Sequence, residues 1–129
     1  MTSGAVETAP DRLIRRGDVW TVAGGSPYSA KPRPAVIVQD DSFDVTRSIT
    51  VCAFTTNETD APLYRPLIEP NERNGLRAAS RIMVDKIASV PKVRLGNQIG
   101  RLNDADLLRL NRALVVFLGL GASSRTRPD

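Results

Sequence analysis

The sequence contains no histidine. That absence removes Ser–His–Asp and Cys–His nucleophile pairs, any acid–base device built on two imidazoles, and histidine-ligated metal. Catalysis by this chain has to come from carboxylates, arginine, lysine, serine, threonine or tyrosine. Cysteine is nearly absent: Cys52 is the only one, so neither an internal disulfide nor a cysteine-based zinc site can form. It lies in an apolar run, where a small buried residue is expected rather than a reactive thiol. No apolar run reaches the length of a membrane span. Residues 1–11 lack the apolar stretch of a signal peptide, and a cytoplasmic protein is the default expectation. Lysine is scarce as well, with three against 15 arginines in a chain of formal net charge +4.

What is present fits one domain with a real core: 129 residues, 41% hydrophobic and 25% charged. Residues 1–14 and 122–129 are expected to be disordered tails around a single domain at 15–121. The arginine excess has a chemical meaning, because a planar guanidinium matches phosphate and base edges. A basic, arginine-rich small domain leans toward nucleic acid or an acidic partner.

The chain is organised around Lys31-Pro32-Arg33-Pro34-Ala35-Val36-Ile37-Val38-Gln39. Pro32 and Pro34 fix their own φ and push the residues before them toward extended geometry. Arg33 is held between them, so its side chain is aimed before a ligand arrives. Ala35–Val38 is an unbroken apolar run, the mark of a strand covered on both faces. Two readings of Arg33 stand here, an anion-binding cation on a stiff turn or a surface arginine in a proline-rich loop.

Other elements follow from local pattern. Strands are expected at about 19–23, 35–39, 47–54, 63–68, 81–87 and 98–102, with Pro66 marking an edge. Trp20 on the first strand is either a core residue or a platform for base stacking. The loop 24–34 joins mobile glycines to stiff prolines and carries Tyr28, which either stacks on a base or covers its own loop. Asp40, Asp41 and Asp44 make an acidic turn without calcium-loop spacing. Thr55, Thr56 and Asn57 form a polar cluster at the end of the third strand, facing a ligand or satisfying the turn. Arg73, Arg77 and Arg81 add positive charge around the loop 69–79. Asn103 caps a helix with Asp104 and Asp106 in its first turn, and Gly119 and Gly121 stop it. Leu107, Leu110, Leu114 and Phe117 recur at helical spacing as its core face. The sum is a mainly β domain: about six short, mostly antiparallel strands in a strongly curved sheet or small barrel, plus one C-terminal helix.

Five segments, in this order, resemble MazF/PemK-like toxins: Arg16-Gly17-Asp18-Val19-Trp20, the KPRPAVIVQ run, ITVCAFTT at 49–56, SRIMVDKIASVP at 80–91, and Gln98-Ile99-Gly100-Arg101-Leu102 before the terminal helix. The resemblance covers roughly residues 15–120. It implies an SH3-like, CcdB-like small barrel and a homodimer that cleaves single-stranded RNA at short specific sequences. It implies cleavage without metal; no cofactor is expected, nor any membrane association, since no apolar run is long enough to span one. It further implies a cognate antitoxin, laid as an extended segment in the dimer groove. By position in the family motifs, Arg33 and Thr55 are the implied catalytic pair, with Asp85 a third member in the PemK-like branch. That branch carries an arginine two residues before the aspartate, where this chain has Met83, and the first loop here lacks the glutamate of many members. Trp20, Tyr28, Lys31, Thr56, Asn57, Arg73, Arg77 and Arg81 are the expected RNA contacts.

The chemistry is consistent with that assignment. Cleavage without metal requires a proton to leave the 2′-OH, charge stabilisation on the phosphate, and a proton for the 5′-oxygen. Arg33 suits the second requirement through bidentate bonds to phosphate oxygens. Thr55 suits positioning. Asp85 is either a proton acceptor or the partner of an arginine. The competing classes are a CcdB-like toxin that binds DNA gyrase without catalysis, and a nucleic-acid-binding module without turnover.

Overall fold

A computed structural model describes residues 13–24, 31–58 and 61–121. Within them the chain runs β1 (Asp18–Val22), β2 (Arg33–Ile37), β3 (Ser48–Thr55), β4 (Leu67–Ile68), β5 (Ser80–Ile82), β6 (Ala88–Pro91), β7 (Leu95–Arg101) and α1 (Asp104–Leu118). The pairing is antiparallel throughout, in the order β4-β5-β3-β2-β1-β7, with β6 on the same side of β3 as β5. The long β3 therefore has two partners along one edge, β6 over Ser48–Val51 and β5 over Phe54–Thr55. A single 3-10 turn, Lys92–Arg94, leads from β6 into β7 and brings the sheet round into a half-barrel. The Ala23 N–H donates to the Arg94 carbonyl across that closure.

Curling gives the sheet two buried faces. Trp20, Ala35, Ile37, Ile49, Val51 and Leu95 cluster on one face. On the other, Val19, Val36, Cys52, Phe54, Ile82 and Val84 pack against Leu110, Ala113 and Leu114 of α1. Alternate residues of β2 serve the two clusters, which is why Ala35–Val38 reads as continuously apolar. Cys52 is fully buried, and burial pushes its thiol up to about 12.

Several local signals act as expected. Asn103 Oδ1 accepts the Asp106 N–H at 2.8 Å, and Gly119 closes α1 in the left-handed region at φ 73. Gly17 turns the chain into β1 at φ 90, and Asp18 is buried with its carboxylate bonded by the Arg15 N–H (2.9 Å) and Arg101 Nη1 (2.6 Å). Gly100 is required for contact: a Cβ there would run into the Asn74 backbone. β4 is the sheet edge, as Pro66 indicates.

Four expectations need correction. The strand expected at 81–87 ends at Ile82, and Val84–Lys86 is a 3-10 turn, so Asp85 sits on a turn. The residues after that turn, 88–91, are a seventh strand, β6. Phe117 does not reach the core: α1 runs past the sheet, and the ring is 43% exposed against Tyr64, with centroids 5.5 Å apart. Trp20 is 4% exposed inside the half-barrel, so its face cannot receive a base. Tyr28 and both expected tails, except residues 13 and 14, lie outside the described residues, and Ile14 packs on the barrel cluster.

Candidate functional site

Strand register assembles the site. Arg33 opens β2 and pairs across from Val22 of β1. The β2–β3 ladder ends at Ala35↔Ala53, and extending its register by two residues aligns Arg33 with Thr55, just past the last ladder pair. Thr55 is itself paired with Arg81 of β5. Directly opposed residues of antiparallel strands share a face, with Cβ atoms about 4.5–5.5 Å apart. Arg33, Thr55 and Arg81 therefore form one row across three strands, at the end of the half-barrel where β2 begins and β3 ends.

The row is open to solvent and rests on a packed floor. Arg33 is exposed, Thr55 and Arg81 are half-buried, and the next row on the same face, Trp20, Ala35 and Ala53, belongs to the barrel cluster. The Thr55 hydroxyl oxygen accepts the Asn57 N–H at 3.2 Å, a local side-chain turn that fixes the oxygen and leaves its proton to donate elsewhere. Thr56, Asn57 and Lys31 are exposed on the segments that leave and enter the row.

Asp85 is occupied. Arg65 Nε and Nη2 bond its two carboxylate oxygens, each at 2.8 Å, and the pair is largely buried. The hydrogen bonds from Arg65 hold the Asp85 carboxyl below its ordinary value. Of the two roles open to this residue, the geometry shows the ion pair. The Arg81 guanidinium turns toward the same neighbourhood, with Nη1 bonding the Arg65 carbonyl at 3.2 Å. Arg73 and Arg77 are exposed on the loop 69–79, and the Arg73 carbonyl accepts the Arg101 N–H, at the end of β7 remote from the row. Among the described residues no three Cys, Asp or Glu side chains gather as metal ligands.

Chemically, two guanidinium groups flank a hydroxyl on one face. Among the described residues Arg65, Arg101 and Arg109 bond carboxylates, whereas Arg33 and Arg81 have none. Such a row suits a phosphate, with charge and a bifurcated fork on either side and an O–H between. Sequence reasoning placed Arg33 and Thr55 together by resemblance. It treated Arg81 as one basic residue among several, because only the β3–β5 register brings it opposite Thr55.

Comparison with known proteins agrees with the fold. The profile of the PemK-like, MazF-like toxins of type II toxin–antitoxin systems matches residues 15–118. A probable endoribonuclease MazF of Mycolicibacterium smegmatis is 50% identical over 107 residues, which cover 83% of this chain and 98% of that protein. The endoribonuclease MazF9 of Mycobacterium tuberculosis is 31% identical over 118 residues, covering 84% and 98%. Among solved structures, a mycobacterial endoribonuclease in complex with its cognate antitoxin superimposes with a TM-score of 0.70, at 24% identity over 82% of this chain and 95% of that one. A MazE–MazF structure from Deinococcus radiodurans gives 0.71 at 16% identity, covering 85% and 99%. With a family profile spanning nearly the whole domain and a relative identical at half of the aligned positions, this chain belongs to the PemK-like, MazF-like toxins of type II toxin–antitoxin systems.

Proposed function

We propose that this toxin is an endoribonuclease that cuts single-stranded RNA at short specific sequences, without metal, leaving 2′,3′-cyclic phosphate and 5′-OH ends. The observation that carries this reading is the placement of Arg33 across from Thr55 at an open strand end, in a chain of this family. In the reaction the 2′-oxygen attacks the adjacent phosphorus, the P–O5′ bond breaks, the 2′ proton departs and the 5′-oxygen takes one up. Arg33 bonds the non-bridging oxygens as negative charge builds there, and the Thr55 hydroxyl holds an oxygen of the reacting group in line. A guanidinium does not readily give up a proton. The rate enhancement therefore rests mainly on orientation and electrostatics.

Lys31, Thr56 and Asn57 border the row and are proposed as RNA contacts. Arg73 and Arg77 contact the RNA backbone further out. The protein acts in the cytoplasm, where such RNA is found; no helix among the described residues is long and apolar enough to cross a membrane. A second copy of the chain covers the C-terminal half of α1, where Val115, Val116, Phe117 and Leu118 are 40–56% exposed. RNA then lies in the groove between subunits. A helix apolar on faces its own core does not use is buried by a partner. The inhibitor is a cognate antitoxin with an acidic, extended segment that competes for the same cations.

The test is incubation of the protein with a long single-stranded RNA in excess EDTA, followed by mapping of the ends. Discrete cuts with cyclic-phosphate and 5′-OH termini are expected, and the antitoxin segment should suppress them. Cleavage that disappears in EDTA and returns with magnesium would refute the metal-free reading. Binding without cleavage would point to an RNA-binding module, and no interaction with RNA to a toxin with a protein target.

A further inference from the structure

We propose that Arg81 is a second catalytic guanidinium, bonding the scissile phosphate from the side of Thr55 opposite Arg33. This rests on the nuclease reading above and adds a residue to it. Arg81 is the registered partner of Thr55, so the two side chains leave β5 and β3 on one face. Arg33 shares that face from β2. A phosphate bonded to the Thr55 hydroxyl is then within reach of a fork on each side.

The direction of Arg81 is set in advance. Nη1 donates to the Arg65 carbonyl at 3.2 Å, which leaves the rest of the guanidinium for a ligand. Arg65 is itself held at both ends: its side chain by the bidentate pair with Asp85, its N–H by the Ala61 carbonyl at 2.8 Å. Asp85 thus acts through Arg65 as a positioning residue. Arg33 and Arg81 flank Thr55 from the strands on either side of β3, roughly 9–10 Å apart at the strand axes, so their charges repel only weakly across the open face. Here neither has a carboxylate among the described residues, unlike Arg65, whose carbonyl Arg81 bonds. An anion between them gains a charge-assisted hydrogen bond from each side.

The same register accounts for Met83. The Met83 N–H bonds the Ala53 carbonyl, so position 83 lies one pleat further along, beside the apolar floor and not beside Thr55. In the reaction Arg81 neither gives nor takes a proton. It bonds a non-bridging phosphate oxygen, whose charge rises as the 2′-oxygen adds and falls as the 5′-oxygen leaves.

The test compares Arg81→Gln, Arg81→Lys and Arg33→Ala in single-turnover cleavage of an oligoribonucleotide that the wild-type protein cuts. Binding is measured separately on an analogue with a 2′-deoxy at the cut. Glutamine retains an amide donor for the Arg65 carbonyl and much of the stem, so the fold is kept while the charge is removed. Arg81→Gln should slow cleavage roughly a hundredfold, the usual loss of one positioned charge stabiliser, and weaken binding less than about fivefold. Arg81→Lys should remain at least about tenfold slow, since an ammonium lacks the fork. The double variant Arg33→Ala/Arg81→Gln should lose less than the product of the single losses, because both groups act on one phosphate. If Arg81→Gln cleaves within about threefold of wild type while Arg33→Ala is inactive, the proposal is overturned and the nuclease reading stands. A rate loss fully matched by a binding loss overturns it too, leaving Arg81 an ordinary backbone contact. A wild-type protein that cuts no RNA refutes the nuclease reading itself.

Discussion

Replacing Asn74 with alanine should destabilise this fold by about 3–4 kcal/mol, built from three hydrogen bonds. Asn74 is fully buried within the loop that joins β4 to β5. Its Oδ1 accepts the Leu76 N–H at 3.0 Å and the Asn71 N–H at 3.1 Å, and its Nδ2 donates to the Glu69 carbonyl at 2.9 Å. Leu76 is buried, so water cannot replace the lost acceptor, and an orphaned donor there costs about 1–3 kcal/mol. The Asn71 and Glu69 groups are partly wet, at about 0.5–1.5 kcal/mol each. The loop also braces β7, through the bond from the Arg101 N–H to the Arg73 carbonyl at 2.8 Å, so its loosening is felt in the barrel. In a domain of this size the loss corresponds to a fall in melting temperature of roughly 10–15 °C. Urea unfolding followed by Trp20 fluorescence gives the free energy directly, since that ring is in the barrel cluster. A loss below about 1 kcal/mol would show that water satisfies these groups and that the buried amide is not what holds the loop.

Two further expectations follow from geometry. The hydrogen bonds from Arg65 hold the Asp85 carboxyl below its ordinary pKa in the folded protein, so the pair stabilises fully above the unfolded value of about 3.9 and is lost as pH falls through the folded value. The stability gap between wild type and Asp85→Asn should therefore be open at pH 6 and narrow progressively below about pH 4; thermal melts showing the same gap at pH 6 and pH 2 would falsify this. If a second copy covers the end of α1, the double variant Val116→Glu/Leu120→Glu should sediment as a monomer with its helix intact by circular dichroism. An unchanged sedimentation coefficient would place the subunit contact elsewhere.

The sequence alone determined whatever is written in a short window. Asn103 and Gly119 bound the helix because a side-chain oxygen and a left-handed residue act on the nearest backbone groups. Ala35–Val38 announced a strand buried on both faces because both its alternating sets are apolar. The missing histidines and metal-ligand clusters narrowed the chemistry before any fold was known, and the family motifs singled out Arg33 and Thr55. The tertiary structure decided what depends on partners far along the chain. β6 was not legible, since Ala88-Ser89-Val90-Pro91 has little apolar alternation and is a strand only because β3 lies beside it. Trp20 reads identically as core or platform until the sheet curls over it. Asp85 became an ion-pair member because Arg65, twenty residues away, turns back onto it. Arg81 is one arginine among fifteen in the sequence. It becomes a candidate for the chemistry only through register, because a slip of one residue between β3 and β5 would turn it to the opposite face from Thr55.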